Sequence, residues 1–302
     1  MSRTPTRSVL REHHPGGALA GQNELGLGPD SLLWRWAGDQ RLGLTGLATG
    51  ILQLMHPGLG AGVVEHSAFF TEPWDRIMRS IPEIIGVIYD EDGEATGHRV
   101  RDYHKRIKGT DAQGRKYSAL RPETFWWAHA TFQFAVEGVA DRFDSHRLSK
   151  DEREQLYREG VEWYRRYGVS MRPVPTDHEA FVKRWNHYCT DVLEMTEAAE
   201  RSIDMALNDK VQRMPGLPWW SLPIQREILT PLFRLTAIGG LPASVRTRFG
   251  IPFGISETLQ LKGLELWVRQ NWRFMPRHLR WAPRATDGWK REAAKRKLQR
   301  AS

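Results

Sequence analysis

The sequence predicts an all-α fold, one large helical domain. Three observations carry this: apolar residues recur at helical spacing along most of the chain, alternating strand patterns are scarce, and neither an internal repeat nor a long linker divides the 302 residues. Residues 1–27 lack an apolar segment with a cleavage site, so they read as a flexible N-terminal tail and not as a secretory signal. The stretch from Leu42 to Val64 carries no charge, and its length would allow a membrane span. Its six glycines, Gln53, His56 and Pro57 favour a buried helix followed by a turn. In the first part Leu44, Leu47, Ile51 and Leu54 make one stripe, and Gly43, Gly46 and Gly50 make a second face that lets something flat or another backbone come close. Pro57 ends the helix near His56.

Glu94–Lys108 reads as the next helix, stopped by Gly109, with a turn-rich connection from Lys108 to Arg115. Pro122 and Glu123 suit the first turn of a helix that runs to about Phe143. Ser149 with Glu152, and Thr176 with Glu179, fit the capping-box pattern and open two more helices. The second of these is expected to be long, because Phe181, Trp185, Tyr188, Val192, Met195 and Ala199 keep one apolar stripe. Recurring Pro and Gly from Pro215 to Gly254 predict short helices and loops, and Leu259–Phe274 restores a helix. The expected division is a tail at 1–27, a helical domain at 28–286 and a basic C-terminal tail at 287–302.

Forty per cent apolar residues and 13 Trp exclude a disordered chain, and a single cysteine, Cys189, excludes an internal disulfide, a multi-cysteine zinc site and an iron–sulfur cluster. The expected compartment is reducing and cytoplasmic. The net charge of +8 is unevenly placed: Trp267–Ser302 holds 11 Lys and Arg against Asp287 and Glu292, so the rest of the chain is close to neutral. A neutral body with a basic end is not a nucleic-acid-binding composition. In that end Trp267, Trp272, Phe274, Trp281 and Trp289 alternate with Arg269, Arg273, Arg277, Arg280, Arg284 and Lys290. Such a pattern suits peripheral contact with an anionic membrane, or packing of the tryptophans on the domain.

A nucleophile elbow, a phosphate loop, an HExxH zinc helix and paired Glu-x-x-His motifs are all missing. Histidine is left. His129 shares a face with Phe125, Phe132 and Val136, which suits either a buried, hydrogen-bonded ring or an imidazole ligand to iron. His104 has Val100 and Ile107 on its side and aligns with Arg101 and Lys108; positive groups beside a pocket histidine can hold a propionate or polarise dioxygen, and a solvated basic helix is the alternative. His66 ends the uncharged segment and suits a cap as well as a ligand.

Several short motifs in order resemble one family. They are Trp34-Arg35 with Gly38-Asp39-Gln40-Arg41, His56-Pro57, His66-Ser67, Glu72-Pro73-Trp74-Asp75-Arg76, the run from Tyr103 to Gly109, Tyr117-Ser118-Ala119, and Trp127-Ala128-His129-Ala130-Thr131. Across roughly Gly28 to Arg284 the chain is similar to the rubber oxygenase (latex-clearing)/MpaB-type oxygenases. The resemblance implies a globin-like helical core holding haem b, and dioxygen or peroxide chemistry on a hydrophobic, lipid or isoprenoid-like small substrate. It implies His129 as the axial iron ligand, with His104 as a second ligand or, together with Arg101 and Lys108, as a catalytic group. It also implies Arg41 and His66 as cofactor-binding residues. A histidine at position 104 departs from the latex-clearing branch. Two histidine ligands would instead make a non-catalytic haem or lipid-binding protein, the alternative to an oxygenase.

Overall fold

The structure, a computed structural model, describes residues 26–209 and 212–301, so the expected N-terminal tail lies almost wholly outside the described residues. Among the described residues there are fourteen α-helices and one two-stranded sheet, the all-α architecture that the periodicity predicts. The chain enters through α1 (Leu32–Trp36), capped by Ser31. It continues in α2 (Leu42–Leu54) and turns by 97° into α3 (Pro57–His66), which begins on Pro57. The uncharged stretch is therefore two bent helices, and no single helix among the described residues is long and apolar enough to cross a membrane. Next come α4 (Pro73–Tyr89) and α5 (Gly93–Tyr103), which pack on each other.

The sequence predicts helix through Lys108, but α5 stops at Tyr103 with His104 as its C-cap. The segment beyond it pairs instead. Strand β1 (Lys108–Thr110) runs antiparallel to β2 (Lys116–Ser118), Ala119 N donates to Ile107 O at 2.9 Å, and Tyr117 is buried under α3. Gly114, at φ +78°, makes the turn between the strands, a conformation that suits glycine.

Helix α6 (Pro122–Gly138) starts on its proline as expected and extends through a π turn to Phe143. The Ser149–Glu152 capping box opens α7 (Lys150–Arg165). The next helix, α8 (His178–His187), is capped by Asp177, not by Thr176, whose hydroxyl donates to the Asp177 carboxylate. The expected long helix breaks after a π turn at Tyr188–Val192: Leu193 is extended, Glu194 N donates to Met55 O, and Thr196 donates to Leu54 O while capping α9 (Glu197–Asn208). These bonds satisfy the carbonyls at the end of α2, which an unbroken helix would leave unpaired.

Helix α10 (Leu222–Gly239) is longer than expected, with Pro231 inside it at an exposed position where water can reach the freed carbonyl. It is followed by α11 (Ala243–Arg248), α12 (Ile255–Asn271), the short α13 (Arg277–Arg280) and α14 (Pro283–Gln299). Residues 287–299 of the expected basic tail lie in α14. Helix α14 packs on α4 through buried Ala285 and Gly288, Trp289 meets Trp34 edge-on at 5.2 Å, and Arg291 donates to Tyr89 O.

Helix α6 is the centre. Ten of its 17 residues are buried, on every side of the helix. Contacts pairing Thr45 with Ala135 O, Leu52 O with Trp127, and Gln53 with Ala128 O show that α2 runs antiparallel along it. Trp127 stacks on Tyr188 and Trp185 from the α8 side, at 4.7 and 4.9 Å. The third neighbour is α7. Beside this core lies a buried ionic knot. The Arg41 guanidinium donates to both Asp39 oxygens, to Asp144 and to Phe143 O, Trp36 donates to Asp144, and Trp272 donates to Asp39. Burial opposes the Arg41 charge, but the hydrogen bonds and charges of Asp39 and Asp144 raise its pKa above the ordinary value. Arg41 therefore ties α1, α2 and the end of α6 to the C-terminal segment, and four of its five guanidinium N–H groups go to protein oxygens. Arg41→Met should lower stability by about 3–5 kcal/mol, because two carboxylates stay buried without their partner. An unchanged urea midpoint would exclude this role.

Candidate functional site

His129 lies on the inner face of α6, and Phe125, one turn earlier, is buried beside it. Its Nε2–H donates to Gly160 O of α7 at 2.9 Å. The ring is enclosed by Trp163, Tyr164 and Tyr167, with centroids at 4.7, 5.1 and 6.0 Å. A Cβ at Gly160 would lie 2.1 Å from Gln133 Oε1, so any larger residue there would push the Gln133 amide aside. Burial pushes the His129 pKa down to about 3, so the ring is neutral, and its Nδ1 is buried with no partner. The cavity beside it measures only about 10 Å³. That is room for about one water molecule.

His104 differs. As the C-cap of α5 it is half-buried, and its Nδ1–H donates to Val100 O at 2.7 Å, which fixes the tautomer and leaves Nε2 without a protein partner among the described residues. Burial lowers its pKa; the Val100 bond opposes the shift and the Arg76 charge adds to it. The result is a neutral imidazole, one nitrogen oriented by a carbonyl and the other with a free lone pair, the state in which histidine binds metals. Phe125 meets it edge-on at 5.9 Å.

The expected neighbours of His104 do not converge on it. Arg101 pairs with Asp102 and donates to Gly168 O, while Lys108 is exposed on β1. His66 is exposed next to Glu65 and meets the edge of Tyr117 at 6.4 Å. Arg41 is held in the ionic knot. His104 and His129 are not a ligand pair in this arrangement either. Phe125 touches His104 on one side, and Tyr164 and Tyr167, which enclose His129, on the other.

A haem would need far more room than the space at His129, since cofactor pockets run to about 300–1,000 Å³. His129 therefore does not fit the axial role: its Nε2 is taken, and the cavity beside it admits no porphyrin. His104 offers the donor nitrogen, although neither the small cavity nor the larger groove beside α8 is lined by it. The glycine face of α2 comes close to no other backbone, because Cβ atoms at Gly43, Gly46 and Gly50 would meet nothing within 4 Å.

Two features were given no site role from the sequence. An open groove of about 700 Å³ is lined by Glu123, Pro175, Arg184, Tyr188 and Val192. It shares Val174 with the small cavity, and Arg184 closes over Trp126 at 4.7 Å. The other feature is His56, buried at the turn between α2 and α3, stacked on Tyr188 at 6.2 Å, with Nδ1 unpartnered and a pKa pushed to about 4 by burial. A histidine before a helix-starting proline was the available signal.

The C-terminal aromatics divide. Trp281 and Trp289 pack on the core, and Trp272 bonds Asp39 under the Arg41 guanidinium at 5.3 Å. Trp267 and Phe274 stay exposed.

Both buried histidines are neutral when folded but titrate near 6.5 when unfolded, so the unfolded chain binds more protons below that pH. Stability should be full above pH 6.5 and fall toward pH 4, by up to about 1.4 kcal/mol per pH unit for each ring. Urea titrations across this range should show the fall, and His129→Gln should make it shallower; an equal slope in the variant would exclude His129 as a source.

The model of the family described as ER-bound oxygenase mpaB/B'/Rubber oxygenase, catalytic domain, matches residues 34–282. No curated protein and no solved structure matches the chain. The match runs from α1 to α13 and takes in the ionic knot and every histidine described above, and the chain belongs to the mpaB/rubber oxygenase catalytic-domain family.

Proposed function

We propose that this family member is a haem b-dependent oxygenase acting on a hydrophobic, lipid or isoprenoid-like small molecule, with His104 in place of His129 as the protein ligand. The observation that carries the reading is the His104 ring, whose Nδ1–H is oriented by Val100 O while Nε2 is unpartnered. When bound, haem b supplies the iron at which dioxygen or peroxide is activated. The nearby Arg76 charge disfavours protonation of His104 and so keeps its lone pair available. Phe125 limits the ring's rotation by its edge contact.

His129 then plays a structural part, clasping α6 to α7. The groove beside Glu123 and Tyr188 offers apolar surface from Val174, Pro175 and Val192 to a substrate. The reading keeps the cytoplasmic placement. Cys189, the sole cysteine, is buried, and burial pushes its thiol up to about 12, so nothing in the chain relies on an oxidising compartment.

Haem titration followed by a pyridine-haemochrome assay tests this. The wild type should take up haem b and show a Soret band, His104→Ala should lose most of that uptake, and His129→Gln should retain it while unfolding at lower urea. Loss of haem in His129→Gln with retention in His104→Ala would overturn the ligand assignment, and a wild type that takes up none would overturn the cofactor.

A further inference from the structure

The tight turn before α10 and the first half of that helix present an apolar surface that no part of the described chain covers. Trp219 and Trp220 are 78% and 63% exposed, and Ile224 and Ile228 are 58% and 61% exposed. Trp220, Ile224 and Ile228 follow one another at four-residue steps and so share a face. Gln225 and Thr236, on the adjoining side of the helix, are buried. Leu217, 42% exposed, extends the patch at the turn. A contiguous exposed patch with two adjacent tryptophans marks an interaction surface.

We infer that this face docks the protein on the surface of an anionic lipid bilayer. Charge selects the occupant. Arg213 and Arg234 border the patch against one carboxylate, Glu227, all three exposed, while Arg226 lies on the other side of the helix. Arg213 is held at the turn by its bond to Leu217 O at 2.9 Å. Indole rings with nearby arginines match the headgroup region, where the ring is half in hydrocarbon and the cation meets lipid phosphate. A second copy of the chain would set the same positive rim against itself, and the whole chain already carries +8. The contact is interfacial and not spanning, because no single described helix is long and apolar enough to cross a membrane. This places the lipid-facing surface on α10, not on the basic C-terminal segment, whose Trp281 and Trp289 are packed on the core.

Flotation of the full chain with phosphatidylcholine vesicles, pure or mixed with phosphatidylserine, tests the inference. The wild type should bind the mixed vesicles and release them as salt rises. A Trp219→Ser, Trp220→Ser double variant and, separately, an Ile224→Ser, Ile228→Ser double variant should each bind roughly tenfold or more weakly. Their circular dichroism and urea midpoints should stay unchanged, since the four side chains are exposed. A Lys290→Gln, Lys297→Gln variant should bind like the wild type. Equal binding by both α10 variants, loss only in the Lys variant, or a self-association that the α10 substitutions abolish would overturn it. The outcome does not depend on haem, so its failure leaves the oxygenase reading to its own test.

Discussion

A helix buried on every side has no face to give to water, and α6 is such a helix. The rest of the molecule follows from enclosing it. Its apolar residues accept any neighbour of suitable shape, but its polar residues do not. Thr131 and the Ala128 carbonyl take Gln53 of α2, the Ala135 carbonyl takes Thr45, His129 reaches Gly160, and Gln133 reaches the Leu156 carbonyl. Each buried donor left unmade would cost about 1–3 kcal/mol, so these few bonds fix the register of α2 and α7 where packing alone would permit sliding. The stacked Trp127, Tyr188 and Trp185 then set α8 on the remaining side.

The ionic knot around Arg41 works on a different scale. A buried arginine with two carboxylates is not a large net source of stability, because taking the charges out of water offsets much of their attraction. Its value is geometric. The planar guanidinium has donors for Asp39, Asp144 and the Phe143 carbonyl at once, and this happens only if α1, the start of α2 and the π turn after α6 are all in place. Trp272 brings the end of α12 to the same point. With four of its five guanidinium N–H groups given to protein oxygens, Arg41 is committed to holding these segments together.

The two histidines on the Phe125 side show how one residue type divides its work by the partner of one nitrogen. Both rings are kept neutral mainly by burial. At His129 the bonded nitrogen ties two helices together and the aromatic enclosure leaves no space. At His104 the carbonyl lies within its own helix, so the bond orients the ring without committing it to a neighbour. A helix end is also where a ring can be half-buried, with one edge on the core and the other free.

Much of this was fixed by the order of residues alone. Helical periodicity, Pro122 with Glu123, the Ser149 box and the two-helix reading of the uncharged stretch all depend on neighbours within a turn or two, so the local chain specifies them. The motifs also placed the chain in its family. What only the tertiary structure decided are the matters set by distant partners. Tyr117 under α3 turned an expected helix end into a hairpin, and the open carbonyls at the end of α2 broke the long helix at Leu193. Trp34 and Tyr89 turned an expected tail into a docked helix. The division between His104 and His129 belongs with these, because an aromatic stripe shows that a histidine is buried but not which carbonyl, 31 residues away in the chain, will take its proton.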